Sequence, residues 1–182
     1  MLYKFSIICD ETPEFFREIA IEPDQTFLDL NKAILESCNY GDDQMTSFCT
    51  CSDEWETEHQ IVREDMGTIS QDEDIYIMAD TRLSELLMDE EQKLIFTFDP
   101  INDRIFYIEL TEIVTGKTLD HAECTISKGE APKQTSDFDL DFSTLTKTGA
   151  ANDLDLDFDA YGSEGYNEDE YDPESYGIDG EY

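Results

Sequence analysis

The segment KLIFTFDPINDRIFYIELTEIV, residues 93–114, constrains the fold of this chain more than any other. Apolar residues alternate along both of its halves, and this is the period of a β-strand with two distinct faces. In the first half Leu94, Phe96 and Phe98 share a face, and in the second half Ile105, Tyr107 and Glu109 oppose Phe106, Ile108 and Leu110. The residues between the halves, Asp99 to Asp103, favour a turn. The segment therefore predicts an antiparallel hairpin at the centre of a sheet.

Alternation predicts a second hairpin at the start of the chain, with strands at 2–9 and 15–22. In the second of these strands Phe15, Arg17, Ile19 and Ile21 share one face. Further strands are expected at 45–51 and 58–64, with a short one at IYIM.

Helical spacing of apolar residues predicts a helix over about 26–38, with the stripe Phe27, Leu30, Ile34 and Cys38. Asp24 or Thr26 can cap its start, and Gly41 can end it. A second helix is predicted over 81–92, and HAECTISKGEAP is expected to be mostly loop. The predicted fold class is α+β, with an antiparallel sheet and two packed helices.

Charge divides the chain into a domain at 1–134 and an acidic tail, the name used below for residues 135–182. The net charge is −35, and the tail holds 15 of the 46 acids but only one base, Lys147. Aliphatic residues become sparse in the tail, so it is expected to be disordered and of low complexity. The acidity disfavours direct binding to nucleic acid or to an anionic membrane and favours basic partners.

The remaining composition indicates a cytoplasmic protein. No apolar run approaches the roughly 18–20 residues needed to cross a bilayer. The five cysteines are scattered and odd in number, and we interpret them as reduced thiols.

Five fragments, in the same order, resemble the plasmid pRiA4b ORF-3-like family, which is found among plasmid and insertion-element passenger genes. The fragments are DQTFLDLNKAI, YGDDQMTSF, WETEHQIVREDMG, LIFTFDPINDRIFYIELTEI and AECTISKGEAPKQ. The resemblance as a whole extends over residues 1 to about 142. The resemblance implies the family's fold and no particular activity.

The fourth fragment resembles the family motif Y-x-Y-D-F-G-D-x-W-x-H but departs from it. Asp99 keeps the first aspartate of the motif. The replacements are Pro100 and Ile101 for Phe-Gly, Asn102 for the second aspartate, Arg104 for tryptophan and Phe106 for histidine, with Gln44 for a histidine in the second fragment. If those polar groups serve a metal or a reaction elsewhere in the family, this chain has lost them.

Candidate catalytic and metal-binding residues are weak in this sequence. Asp99 and Asp103 could form a general acid–base pair with His121 nearby, but a turn explains both aspartates. Cys49, Cys51 and His59 lack the spacing and the fourth ligand of a structural zinc site. We therefore expect no catalytic residue, no cofactor and no metal site, and a protein that is not an enzyme.

The tail contains one further acidic pattern, which partly matches a calcium loop. Asp153, Asp155, Asp157 and Glu164 match positions 1, 3, 5 and 12 of an EF-hand loop. Phe158 stands where that loop needs glycine, so a dedicated calcium site is not expected.

Two near-repeats in the tail alternate acids with leucine or phenylalanine, SDFDLDF at 136–142 and NDLDLDFD at 152–159. They are called the first and second repeat below. One interpretation is a solubilising extension. The other is a pair of linear motifs that bind a partner with a basic surface or a sheet edge. The interaction residues predicted by the second interpretation are Phe138, Leu140, Phe142, Leu154, Leu156 and Phe158.

The predicted function is thus a protein-interaction module acting through the tail. One alternative is an acidic nucleic-acid mimic that binds a DNA-binding protein. Another is a degenerate enzyme of a mobile-element family, which would require a polar pocket around Asp99, Asp103 and His121.

Overall fold

The computed structural model describes residues 1–64 and 75–135, which contain eight β-strands and two α-helices. The strands are β1 (Leu2–Ile8), β2 (Phe16–Ile21), β3 (Ser47–Cys51), β4 (Thr57–Val62), β5 (Ile75–Ile77), β6 (Lys93–Asp99), β7 (Arg104–Val114) and β8 (Glu123–Lys128). The helices are α1 (Phe27–Cys38) and α2 (Leu83–Leu86). In this part of the chain no helix has the length and apolar character to span a bilayer.

All eight strands form one sheet in the order β5-β4-β3-β6-β7-β1-β2-β8. Both predicted hairpins are confirmed, since β1 pairs with β2 and β6 pairs with β7, each antiparallel. The prediction of a purely antiparallel sheet is wrong, because β5 lies parallel to β4. Two strands joined by a long connection, here residues 63–74, can pair in parallel, whereas a tight hairpin cannot.

The central hairpin supplies the middle of the core. Leu94, Phe96 and Phe98 are fully buried, as are Phe106, Ile108 and Leu110 on the neighbouring strand. The inward residues of β1 and the buried face of α1 belong to the same apolar cluster. One face of the sheet is therefore the buried face, on which the core is built.

Helix α1 follows its predicted stripe closely. Thr26 is the N-cap, and it forms a capping box with Asp29: the Asp29 N–H donates to Thr26 Oγ1 at 3.3 Å, and the Thr26 N–H donates to Asp29 Oδ2 at 3.0 Å. The predicted end at Gly41 is wrong, because Asn39 takes the left-handed conformation (φ 57°) that closes the helix. Asparagine tolerates this conformation better than most residues.

Helix α2 is much shorter than the predicted 81–92 helix. Leu83 and Leu87, two apolar residues of the predicted helix, are nevertheless buried. Beyond Leu87 the backbone N–H groups of Met88 and Asp89 donate to Gln92 Oε1 at 2.6 and 2.8 Å. Those two N–H groups are thereby withdrawn from helical hydrogen bonds, and the helix ends.

Strand β8 replaces the predicted loop after residue 120. It pairs with β2 and forms an edge of the sheet. Most of its residues are exposed, so its sequence lacks the apolar alternation that identifies a half-buried strand.

Candidate interaction surface

Several predictions concern residues outside the described part of the chain. They are the start of the acidic tail after residue 134, the expected disorder of that tail, and the partial calcium-loop pattern at 153–164. The predicted interaction residues Phe138, Leu140, Phe142, Leu154, Leu156 and Phe158 also lie there. All of them remain predictions.

Asp99 stabilises the β6–β7 turn, which is the segment where this chain departs from the family motif. Its side chain is buried and accepts hydrogen bonds from the Asn102 side-chain amide at 2.8 Å and from the Asn102 backbone N–H at 3.3 Å. Arg104 Nη1 lies 3.5 Å from Asp99 Oδ2. The Asp99 carboxylate is therefore used in contacts that close the turn between β6 and β7.

Arg104 ties this turn to two other segments. Its guanidinium donates two hydrogen bonds of 2.8 Å to the carboxylate of Glu11, in the β1–β2 connection. It stacks over the Phe98 ring at 4.8 Å and donates to the Gln134 carbonyl at 3.4 Å. The hydrogen bond with Glu11 raises the pKa of Arg104. A bidentate, stacked arginine of this kind stabilises the corner structurally.

Asp103 and His121 do not join Asp99 in one polar pocket. Asp103 is exposed in the turn and lines a surface depression of about 320 Å³ with Cys9, Asp10 and Arg104. His121 is exposed and lines a different depression, beside Lys32 and Glu36 of α1. The structure therefore does not form the pocket that the degenerate-enzyme alternative requires.

Cys49 and Cys51 lie on β3 next to His59 of β4 but form no ligand set. Cys49 pairs with Gln60 and Cys51 with Thr57, with a register shift between them. Residues 1–64 and 75–135 hold no group of three or more His, Cys, Asp or Glu side chains that could bind a metal ion. All five cysteines are free thiols.

Stability is expected to fall as the pH rises from about 9 to about 11. Burial raises the pKa of the Cys38 thiol from 9.0 to about 11, and that of Cys51 likewise. The unfolded chain therefore releases these protons at lower pH than the folded chain, so rising pH favours unfolding. Urea midpoints measured from pH 8 to 11 check this. The double variant Cys38→Ala and Cys51→Ala should show a shallower decline, whereas the exposed-site variant Cys124→Ala should keep most of the wild-type slope.

The face of the sheet opposite the core is called the open face. The strand register brings five residues side by side on this face, one from each of five adjacent strands: Cys49, Ile95, Tyr107, Ile8 and Phe16. This row is called the apolar belt. Its members do not belong to the core cluster, and Ile8 is 47% exposed. A row of partly exposed apolar side chains on one sheet face is typical of an interaction surface.

Trp55, the single tryptophan of the chain, lies against this belt. It takes a positive φ of 65° in the β3–β4 connection. Its ring meets Tyr107 edge-on, with 4.9 Å between centroids, and the Lys93 ammonium lies 5.2 Å from it. Burial and the neighbouring Asp10 carboxylate raise the pKa of Tyr107. The indole is thus a natural reporter of what covers the open face.

The sequence prediction missed this belt. Alternation placed Tyr107 on the face of β7 opposite Phe106, but the belt joins residues from β3, β6, β7, β1 and β2. Only the strand order and the register bring them together.

Comparisons with known proteins agree on the fold and are silent on activity. The family model for plasmid pRiA4b ORF-3-like proteins matches residues 3–176. No curated protein matches significantly. A crystal structure of a protein of unknown function from Methanosarcina mazei Go1 has a TM-score of 0.58 and 18% sequence identity, covering 82% of this chain and 84% of that chain. At that identity the likeness shows a shared fold. Since the family model spans nearly the whole chain, this protein belongs to the plasmid pRiA4b ORF-3-like family.

Proposed function

We propose that this protein is a non-enzymatic protein-interaction module of the cytoplasm. Its tail repeats bind a partner protein that presents a basic surface or a sheet edge. The observation that carries the proposal is the pair of acidic–apolar repeats at 136–142 and 152–159, since an extended segment that alternates acids with leucine or phenylalanine is suited to docking on another protein.

The polar residues of the family-motif turn support a binding role over a catalytic one. Asp99 is engaged by Asn102 and Arg104, and Arg104 is engaged by Glu11. A general base must be free to reach a substrate proton. These side chains are instead committed to holding the corner together.

The composition of the tail supports the choice of partner. With 15 acids and one base, residues 135–182 are attracted to a basic surface. In an extended segment, alternation places the leucines and phenylalanines on one side and the aspartates on the other. Such a segment can pair with a sheet edge and insert its apolar side chains into pockets.

Alanine at Phe138, Leu140, Phe142, Leu154, Leu156 and Phe158 in the full-length protein is expected to abolish partner capture from the native lysate. Apolar contacts of this kind are worth about 1.5–3 kcal/mol each when fully buried, so losing six removes the affinity. The experiment compares the recovered proteins by mass spectrometry. Alanine at Tyr161, Tyr166 and Tyr171 serves as a control that keeps both repeats. Unchanged partners in the six-residue variant would refute the role of the repeats.

A nucleic-acid mimic is the second candidate, and the net charge of −35 favours it. In that case the captured protein binds DNA, and added duplex DNA displaces it. Release by salt should also be steep, because many ionic contacts are lost together. A partner that resists both DNA and salt identifies an ordinary apolar docking contact.

A further inference from the structure

We infer that the open face of the sheet is a docking site for an extended acidic–apolar segment, and that its occupant is the first repeat, residues 136–142 of the same chain. This inference rests on the proposed role of the repeats as docking motifs. The inference gives the two repeats different roles. The first repeat binds this chain's own sheet, and the second repeat binds the partner protein.

The starting point of the first repeat is fixed by Gln134. The Gln134 side-chain amide donates to the Gly41 carbonyl at 2.8 Å and accepts from the Gly41 N–H at 2.7 Å. The Gln134 carbonyl accepts from Arg104. The chain therefore enters the first repeat at the end of the sheet where β6 turns into β7.

The first repeat can reach the belt from this corner. The depression beside Arg104 is lined further on by Ile105 and Tyr107, so it leads onto the open face. Phe138 is four residues beyond Gln134, a reach of about 13 Å in an extended chain. Tyr107 is three residues along β7 from Arg104, or about 10 Å.

The length of the first repeat also fits. Cys49 and Phe16, the ends of the belt, are separated by four strand spacings, or about 19 Å. Seven extended residues span about 23 Å. With Phe138 beside Tyr107, at the middle of the belt, Leu140 and Phe142 follow at intervals of about 7 Å and reach to one of its two ends.

The chemistry of the two surfaces matches as well. Phe138, Leu140 and Phe142 project to one side of an extended segment, toward the belt, while the aspartates project toward solvent. One lysine stands beside Trp55, near the middle of the belt, and another stands at its Phe16 end. The Lys93 ammonium lies 5.2 Å from the Trp55 ring, and the Lys128 ammonium lies 5.8 Å from the Phe16 ring. These lysines offset part of the repulsion between the repeat and the acidic domain.

The covalent connection favours the first repeat over any free segment. A tethered segment acts at an effective concentration of roughly millimolar, so a weak contact is occupied. The second repeat begins sixteen residues later and has a longer tether. Its effective concentration at the belt is lower, which leaves it available to another protein.

Trp55 fluorescence in the full-length protein tests the inference. Alanine at Phe138, Leu140 and Phe142 should shift the emission to longer wavelength and increase quenching by acrylamide, because the belt is uncovered. Alanine at Leu154, Leu156 and Phe158 is the matched control and should leave both unchanged. The synthetic peptide SDFDLDF should reverse the change in the first variant, and a peptide of the same composition with its aspartates in one block should not.

A second pair of variants alters the belt rather than the repeat. Ile8→Glu places a charge in the belt and should give the same emission change, which the peptide no longer reverses. Ile101→Glu is the control, since Ile101 is 74% exposed in the β6–β7 turn. Identical Trp55 spectra in all four variants, or equal changes with both repeats, would overturn the inference. That result would leave the proposed function standing if the second-repeat variant still lost its partner.

Discussion

Replacing Phe106 with alanine should lower the free energy of unfolding by about 4 kcal/mol. Phe106 is fully buried, and it stacks on Phe15 with ring centroids 4.9 Å apart and on Phe98 at 4.4 Å. Tyr40 and Phe96 also lie within 6.2 Å of its ring centroid. The truncation therefore opens a cavity at the centre of an aromatic cluster that joins β6, β7 and the chain before β2. Urea unfolding followed by circular dichroism measures the loss.

Phe106→Leu is the matched control, because it keeps most of the volume. We expect it to cost about 1.5 kcal/mol or less. Equal stability of the alanine variant and the wild type would show that this aromatic cluster is not the centre of the core.

Replacing Arg17 with methionine should lower the free energy of unfolding by about 3 kcal/mol, since three backbone carbonyl groups lose a charged donor. Arg17 is only 5% exposed, although it is charged. Its guanidinium donates to the backbone carbonyls of Ser37 at 3.1 Å, Lys128 at 2.6 Å and Gly129 at 3.2 Å. Ser37 is in the last turn of α1, where the helix dipole favours a positive charge. One side chain thus joins β2 to the helix and to the end of β8.

The lysine variant separates charge from geometry at this position. Arg17→Lys keeps the positive charge, but a single ammonium cannot reproduce the fork that spans these carbonyls, so we expect a loss of about 2 kcal/mol. Arg82→Met is the control, since the Arg82 side chain is 61% exposed and lies 4.0 Å from Asp24. Its effect should stay within about 0.5 kcal/mol. A lysine variant as stable as the wild type would mean that charge alone suffices.

The glycine at position 129 allows one of the carbonyl groups that Arg17 binds to come within reach. It has a φ of +64°, and a Cβ there would stand 2.4 Å from the Glu14 carbonyl oxygen. Glycine therefore lets the chain after β8 pass close to the β1–β2 connection. This approach brings the Gly129 carbonyl to Arg17.

Most of the fold could be predicted because its signals are local. Alternation identified β6 and β7, and Thr26 was one of the two residues predicted to cap the start of α1. Strand β8 was missed because an exposed edge strand needs no apolar alternation. Alternation also placed Arg17 on the same face as Ile19, and both are buried. Its carbonyl partners near residue 129 are more than a hundred residues away, so nothing local explains its burial.

Less of the candidate site could be predicted from the sequence, because its contacts join residues that are far apart along the chain. The departures from the family motif were visible in the sequence, but the ties from Arg104 to Glu11 and Gln134 depend on the tertiary structure. The belt needs the register of five strands. The repeats, in contrast, were found from pattern alone, because alternation of acids with leucine or phenylalanine is a local signal.

The most direct test of that role places a photo-reactive amino acid at position 140 or 156 of the full-length protein and maps the crosslinks formed in the native lysate. The account predicts intramolecular crosslinks from position 140 to the belt, at Ile8, Phe16 or Tyr107. From position 156 it predicts a crosslink to one partner protein, at a basic surface or a sheet edge. Scattered crosslinks from both positions, no different from those of the same group at position 147, would contradict it.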